Sequence, residues 1–334
     1  MNAQKMGQDH FLLGFHGGGE PTLAWQQLTT LVEYARQQEL PCQVQLTTNG
    51  FWSRTQREWA ISHIDEISLS FDGMPSLQNR QRPLADGRGS YTAVMETIQE
   101  LDRLERPYGI RVTVTEDGMD QLAENITFLC ANTHCNTFQV EPAFKQGRAL
   151  VSQTAVKKNN AFARAFLHAW EIADAHDRHI YYSGARPWLI TDQFCQAPES
   201  ALIVGPDGFL TACYEICSKD HELAPQFFQG DLMSDGTMTL LYDQRQELLE
   251  KIAQRRESCR DCFCFWHCAG DCPSKTMSAG REGHLEYKAR CDLNSEITKG
   301  LILRYIEKGD GLWQEDRLIA PGAMSCEPTG ENNK

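Results

Sequence analysis

The stretch FLLGFHGGGEPTL, residues 11–23, determines how the first half of the chain is built. Its first five residues are mostly apolar, and after His16 three glycines follow. This pattern is typical of a short strand that ends in a tight turn. Helical periodicity then runs from Trp25 to Gln38, just after Pro21. We therefore interpret the stretch as the strand, the turn and the helix start of one β/α unit.

The same alternation continues along the chain. Further strand-like segments are QVQLTTNG (43–50), EISLSFDG (66–73), IRVTVTEDG (110–118) and TFQVEP (137–142). Helical patterns cover Tyr91–Leu104, Gln121–Cys130 and Val156–His176. This spacing predicts parallel β-α-β units. Five strands that end in polar turns fit either an open barrel or a doubly wound sheet, and in both folds function lies at the carboxyl ends of the strands.

Length, composition and charge limit the kind of protein this chain can be and the molecules it can bind. The 334 residues correspond to about two domains, and 41% are hydrophobic, which predicts a globular chain. With a net charge of −13, the chain lacks the excess of positive charge that favours binding to nucleic acid or to an anionic membrane. No apolar run is long enough to span a bilayer, and MNAQKMGQDH at the start lacks an apolar signal segment. We expect a cytoplasmic protein.

Cysteine placement is the strongest chemical signal. Nine of the thirteen cysteines lie between Cys195 and Cys291. Four of them have the spacing C-x2-C-x5-C-x3-C, namely Cys259, Cys262, Cys268 and Cys272. Upstream, Cys195 and Cys213 complete a C-x12-G-x4-C pattern. In a reducing compartment such a cluster indicates metal ligation rather than disulfides. Thiolates suit zinc or iron–sulfur clusters, and seven ordered cysteines are too many for one tetrahedral zinc.

This seven-cysteine order resembles the SPASM domain of radical S-adenosylmethionine (SAM) enzymes. The resemblance implies two auxiliary 4Fe–4S clusters. One would be held by Cys259, Cys262, Cys268 and Cys291, and the other by Cys195, Cys213 and Cys272. Cys217 is a candidate for the open fourth position of the second cluster, which a substrate group could also fill. Cys264 is left over as an unligated thiol beside the cluster.

Motifs in the first half resemble the SAM-binding strands of the same family. The resemblance gives GGEP to the second strand, so that Gly18 and Gly19 approach the ligand and Glu20 accepts hydrogen bonds from the SAM amino group. It gives Thr48 and Asn49 to the end of the third strand, and it implies that Ser70 and Arg82 contact SAM from the fourth. For Asn49 and Asp72, an Asx turn is the structural alternative.

The resemblance implies an α/β fold with three parts. Residues 1–185 would form a partial (β/α)6 TIM-type barrel that lacks its first strand, residues 186–310 a small cysteine-rich iron–sulfur SPASM domain, and residues 311–334 a tail. The family's C-x3-C-x2-C motif, which binds the SAM-cleaving cluster, is absent. A truncated gene, a degenerate member or a partner chain that supplies the motif would each account for this. A third 4Fe–4S cluster is expected only if a missing N-terminal segment supplies its ligands.

The implied activity is modification of a ribosomally made peptide or protein by a 5′-deoxyadenosyl radical. The implied partners are that substrate and an electron donor such as a flavodoxin or ferredoxin. Tyr214 stands where sulfatase maturases place an acidic residue, with Glu215 next, which favours a peptide maturase. Both residues are candidates for proton transfer, with a structural role as the alternative. A non-catalytic iron–sulfur module and a zinc-stabilised scaffold remain alternative functions.

Overall fold

The structure is a computed structural model that describes residues 2–5, 7–143, 155–277 and 281–309. Its main feature is a six-stranded parallel sheet in the order β1-β2-β3-β4-β5-β6. The strands are β1 Phe11–Phe15, β2 Cys42–Thr48, β3 Glu66–Ser70, β4 Tyr108–Val114, β5 Thr137–Pro142 and β6 His179–Tyr181. Each strand pairs with the next one along the chain, so the order never reverses as it does in a doubly wound sheet.

All five strands predicted from the sequence are present, and β6 is an addition. It has only three residues, too few for a periodic pattern to identify. The residues on β2 to β6 alternate between buried and partly exposed. One face is apolar and belongs to the core, with Leu46, Leu69, Val112 and Val140 as examples. The other face is polar, and it carries Gln45, Ser70, Arg111, Gln139, Glu141 and Tyr181.

Helices cover the apolar face of the sheet. Those associated with it are α2 Trp25–Arg36, α3 Arg54–His63, α4 Pro75–Gln81, α5 Tyr91–Arg103, α6 Leu122–Asn132 and α7 Ala155–Ala175. A short α1, Asn2–Lys5, precedes β1, and 3-10 turns span Pro21–Ala24 and Glu116–Gly118. The sequence-based helix bounds match the observed ones to within a few residues. Among the described residues, no helix is both long and apolar enough to cross a membrane.

The cysteine-rich half is built around a second, four-stranded antiparallel sheet. Its strands are β7 Ile203–Val204, β8 Phe209–Thr211, β9 Phe228–Leu232 and β10 Met238–Leu240. Strands β7 and β8 form an antiparallel hairpin whose turn has the sequence GPDG, residues 205–208. The helices of this half are α8 Ala197–Ser200, α9 Ala224–Phe227, α10 Tyr242–Glu257, α11 Phe265–Cys268, α12 Pro273–Thr276 and α13 Arg281–Lys308.

Helix α13 connects the two halves. It packs against α7, and its Leu293, Ile297 and Leu301 join the core of the parallel sheet rather than the smaller core around Phe209. The helix begins at Arg281 and ends at Lys308. The proposed boundary at residue 185 stays a prediction. The proposed tail, 311–334, lies outside the described residues.

Candidate functional site

The glycine loop after β1 lies directly against the cysteine-rich half. Gly17 and Gly18 have φ angles of +85° and +42°, which side-chain-bearing residues rarely adopt. A Cβ atom added at Gly17 would stand 2.1 Å from the carbonyl oxygen of Tyr214, and one at Gly18 would stand 3.4 Å from Cys217 Sγ. These glycines therefore allow the end of β1 to contact the segment 214–217.

Glu20 ties the glycine loop to the end of β2. Its Oε1 accepts hydrogen bonds from the Thr22 amide and hydroxyl and, at 2.7 Å, from Thr48 Oγ1. Its Oε2 accepts from the Asn49 amide at 2.6 Å. Glu20 is thus the N-cap of the 3-10 turn as well as a bridge between strands. The expected contact of Glu20 with a SAM amino group stays a prediction, and the carboxylate already has four donors.

Thr48 and Asn49 support the same corner from within. The Thr48 side chain is buried and accepts from the Gly50 amide at 3.1 Å. Asn49 Oδ1 accepts from the Phe51 amide at 2.8 Å, which is the Asx turn that the sequence offered as an alternative. Gly19 has a φ of +140° and open space where a side chain would be, so it leaves room at the strand ends.

Asp72 and Arg82 form an ion pair behind β3. Arg82 donates from Nε to Asp72 Oδ2 at 2.8 Å and from Nη2 to Thr113 Oγ1 at 2.9 Å. The Thr113 amide donates to Asp72 Oδ1, so the carboxylate links the ends of β3 and β4. Arg82 was predicted to contact SAM together with Ser70, the last residue of β3. Asp72, assigned to a turn from sequence, is the structural partner of this arginine.

His16 and Arg111 meet at the polar face, next to the cysteine-rich half. Arg111 Nη1 lies 2.8 Å from His16 Nε2, and because a guanidinium only donates, His16 accepts there as a neutral ring. Partial burial, together with the Arg111 charge, lowers the pKa of His16 to about 4. The imidazole stacks on Tyr214 with ring centroids 5.3 Å apart. Sequence reasoning missed His16 and Arg111, and nothing in their local motifs marks them.

Three of the predicted cluster ligands, Cys195, Cys213 and Cys272, form what we term the first cysteine group, next to the glycine loop. Burial raises the pKa of Cys213 to about 12, and the nearby Cys272 thiol acts in the same direction. Ser274 Oγ lies 3.2 Å from Cys272 Sγ and donates to Glu215 Oε2 at 3.0 Å.

Glu215 and Cys217, two site candidates from the sequence, lie next to the first cysteine group. Glu215 pairs with Lys275, whose Nζ lies 3.1 Å from Glu215 Oε2. Cys217 Sγ donates to the Tyr214 carbonyl at 2.8 Å and contacts the glycine loop. Cys217 therefore lies between the strand ends and the cysteine-rich half.

The second cysteine group consists of Cys259, Cys262, Cys268 and Cys291. Burial raises the pKa of Cys291 to about 11, and the neighbouring thiols of Cys259 and Cys262 add to the shift. Burial also raises the pKa of Cys268 to about 12, with a further contribution from Cys291. The left-over Cys264 is buried, with its sulfur 3.5 Å from Cys262 Sγ. All four predicted ligands are therefore neighbours, with Cys264 beside them.

Hydrogen-bond donors point at the sulfurs of both groups. Asn294 Nδ2 donates to Cys268 Sγ at 3.2 Å, Arg255 Nη2 lies 3.7 Å from Cys291 Sγ, and the Ala197 amide lies 3.4 Å from Cys195 Sγ. Donors of this kind stabilise thiolates and tune iron–sulfur clusters. Within the described residues, no three Cys, His, Asp or Glu side chains converge on a single metal-ion position. The donor set fits iron–sulfur ligation.

The sequence relatives of the chain carry the same enzyme name. No protein-family model matches the chain. The serine-type anaerobic sulfatase-maturating enzyme of Klebsiella aerogenes is 25% identical over an alignment of 282 residues, and the match covers 79% of this chain and 67% of that protein. The enzyme of the same name from Klebsiella pneumoniae is 24% identical over 79% of this chain and 68% of that protein.

Solved structures share the fold. The anaerobic sulfatase-maturating enzyme anSMEcpe, with bound AdoMet and a peptide named Kp18Cys, matches with a TM-score of 0.68 and 18% identity over 91% of this chain and 87% of that one. SuiB of Streptococcus suis matches with a TM-score of 0.52 and 15% identity over 84% of this chain and 66% of that one. In sequence this chain is similar to the anaerobic sulfatase-maturating enzymes, and it shares their fold, which supports the resemblance to radical SAM maturases.

Proposed function

We propose that this chain modifies a peptide or protein substrate by radical SAM chemistry, with SAM bound at the carboxyl ends of β1 to β4. The observation that carries the proposal is the contact between the Gly17–Gly18 loop and the segment 214–217. It brings the predicted SAM-binding motif and the first cysteine group to the two sides of one site. The structural relative with a bound peptide supports a peptide as the substrate.

In this proposal the residues of the chain bind and orient the ligands. Gly19 leaves space for the ligand, Glu20 holds the loop, and Ser70 presents its hydroxyl at the end of β3. SAM bound there would supply the hydrogen-abstracting chemistry, with the electron for its cleavage delivered by a third 4Fe–4S cluster that is expected only if a missing N-terminal segment supplies its ligands. Tyr214 and Glu215 are the proposed proton-transfer groups, and Lys275 pairs with the Glu215 carboxylate.

The seven ordered cysteines would hold two auxiliary 4Fe–4S clusters. The first cysteine group has three ligands, and Cys217 or a substrate group would fill its fourth position. The second cysteine group has four. Bound there, the clusters supply one-electron redox chemistry and an open iron site. A flavodoxin or ferredoxin is the proposed kind of electron donor.

A second candidate function is a non-catalytic iron–sulfur module that binds a peptide. It is favoured by the lack of a C-x3-C-x2-C motif in the 334 residues. The test is anaerobic reconstitution with iron and sulfide, addition of SAM and dithionite, and detection of 5′-deoxyadenosine by mass spectrometry. Formation of 5′-deoxyadenosine supports the maturase. An iron-loaded chain that makes none supports the module, and a zinc-loaded chain without sulfide contradicts both.

A further inference from the structure

Asp271 and Arg290 form a buried ion pair in the cysteine-rich half. Arg290 donates from Nε to Asp271 Oδ2 at 2.7 Å and from Nη2 to Asp271 Oδ1 at 2.6 Å. The Asp271 side chain is 1% exposed and that of Arg290 is 8% exposed. This two-bonded geometry is that of an ionised carboxylate and a guanidinium, so both charges are held in one orientation.

The pair lies next to both cysteine groups. Along the chain, Asp271 stands between Cys268 of the second group and Cys272 of the first, and its amide donates to the Cys268 carbonyl at 3.0 Å. Its Oδ1 also accepts from the Cys272 amide at 2.7 Å. Arg290 directly precedes Cys291 of the second group on α13. Both charges are therefore close to predicted ligands of the two clusters.

The fold gains little stability from this pair. Removing two charges from water costs about as much free energy as their attraction returns, so apolar side chains of similar size would pack equally well. Asp271 also has a φ of +68°, a conformation that is unfavourable for a residue with a side chain. The role of the pair then lies in its electrostatic effect on the neighbouring cysteine ligands.

A fixed charge beside an iron–sulfur cluster changes the reduction potential of that cluster. Reduction adds one negative charge, which a neighbouring carboxylate opposes and a neighbouring guanidinium favours. Solvent screens charges in a buried site only weakly. In the intact pair the charges of Asp271 and Arg290 offset each other, so loss of either one leaves the other acting on the clusters.

We propose that the Asp271–Arg290 pair sets the reduction potentials of both auxiliary clusters, as one balanced charge element shared by the two cysteine groups. This inference rests on the proposed function for the presence of the clusters. Asp271 and Arg290 are not iron ligands, and they act on the clusters through their charges. Because one pair lies next to both groups, a change in it moves both potentials in the same direction.

The test is a redox titration of the reconstituted full chain, with both clusters followed by electron paramagnetic resonance. Each cluster takes up one electron from dithionite, which is oxidised to sulfite. Asp271→Asn leaves the guanidinium unbalanced and should shift both midpoint potentials to more positive values. Arg290→Gln leaves the carboxylate unbalanced and should shift both to more negative values. Arg290→Lys keeps the positive charge and should have potentials close to those of wild type.

Glu171→Gln is the matched control. Glu171 pairs with Arg304, which lies on α13 like Arg290, but the Glu171 side chain is half exposed. Loss of its charge should leave both midpoint potentials unchanged, because solvent screens it. The iron and sulfide content of each variant checks that the clusters are loaded.

Opposite shifts in Asp271→Asn and Arg290→Gln, with the two clusters moving together, support the proposal. Wild-type potentials in both variants, fully loaded, would overturn this inference alone. Loss of iron from both variants, with Arg290→Lys fully loaded, would also overturn it, because the pair would then serve assembly of the site. A wild-type chain that binds no iron and sulfide would overturn the proposed function together with this inference.

Discussion

Asp72 and Arg82 form a two-bonded ion pair at the carboxyl end of β3, with Nε–Oδ2 and Nη2–Oδ1 distances of 2.8 and 3.2 Å. Asp72 is 1% exposed, and it also accepts from the Thr113 amide. The pair therefore joins two strand ends and fixes the arginine that sequence motifs assign to SAM. Asp72, which the sequence assigned to a turn, therefore links the strand ends and positions Arg82 at the edge of the site.

Substitution of Asp72 by Asn should destabilise the chain. The change leaves the Arg82 charge without a partner, so we expect the free energy of unfolding to fall by about 2 to 3 kcal/mol. Urea denaturation measures it. Glu100→Gln, which breaks the exposed pair with Arg103, is the control and should have the smaller effect, because solvent screens that pair. Equal effects of the two changes would show that Asp72 does not organise the strand ends.

Substitution of Gly17 by Ala should separate the glycine loop from the segment 214–217. The added Cβ would meet the Tyr214 carbonyl, and backbone strain at this φ adds about 1 to 3 kcal/mol. Gly87→Ala is the control, since Gly87 has a similar φ of +83° but nothing within 4 Å of an added Cβ. Thermal melting should show the larger loss for Gly17→Ala. Identical losses would mean that the contact with Tyr214 contributes nothing.

Removal of Cys264 should leave the proposed clusters intact. Its sulfur lies 3.3 Å from Ser295 Oγ and next to Cys262, outside the seven-cysteine pattern. After anaerobic reconstitution, Cys264→Ala should retain wild-type iron and sulfide, whereas Cys268→Ala should lose about half of each because one of two clusters is lost. Iron loss in Cys264→Ala as large as that in Cys268→Ala would make Cys264 a ligand.

Glu141 should give the chain a pH-dependent stability. Burial raises the pKa of its carboxyl above the ordinary 4.5, against hydrogen bonds from Gln139 and Ser183 and the nearby Arg290 charge. A carboxyl with a raised folded-state pKa stabilises the fold at low pH, and this contribution is lost as the pH rises through that pKa.

Glu141→Gln removes this titration, because the amide cannot ionise. Relative to wild type, the variant should therefore become more stable as the pH rises from 4 to 8, measured by urea unfolding at each pH. A stability difference that stays constant over this range would show that Glu141 titrates alike in the folded and unfolded chain.

The sequence revealed the parts of the fold that have local patterns. Strands β2 to β5 alternate apolar and polar residues and β1 is a short apolar run, whereas β6 has only three residues and no readable period. Helix α13 begins at Arg281, in a polar stretch that hides its start. The resemblance of the cysteine order to the SPASM domain implied the two ligand sets, and their assignment to clusters stays a prediction. The His16–Arg111 contact joins residues 95 positions apart, and no local pattern in one sequence reports such a pair.

The position of Cys217 shows the same limit. From sequence it was a candidate for the open fourth position of the cluster assigned to Cys195, Cys213 and Cys272. In the structure it also contacts Gly18 across the junction of the two halves, 3.4 Å from the position of an added Cβ. The contact depends on the positive φ angles of Gly17 and Gly18. The GGEP motif implies that the glycines approach another group closely, but it does not reveal which group.

The most direct test of the central claim is the iron, acid-labile sulfide and zinc content of the anaerobically purified and reconstituted chain. Two auxiliary clusters on the seven ordered cysteines predict about eight iron and eight sulfide per chain, with the absorption and electron paramagnetic resonance of 4Fe–4S centres after reduction. About one zinc per chain with no sulfide would contradict the account.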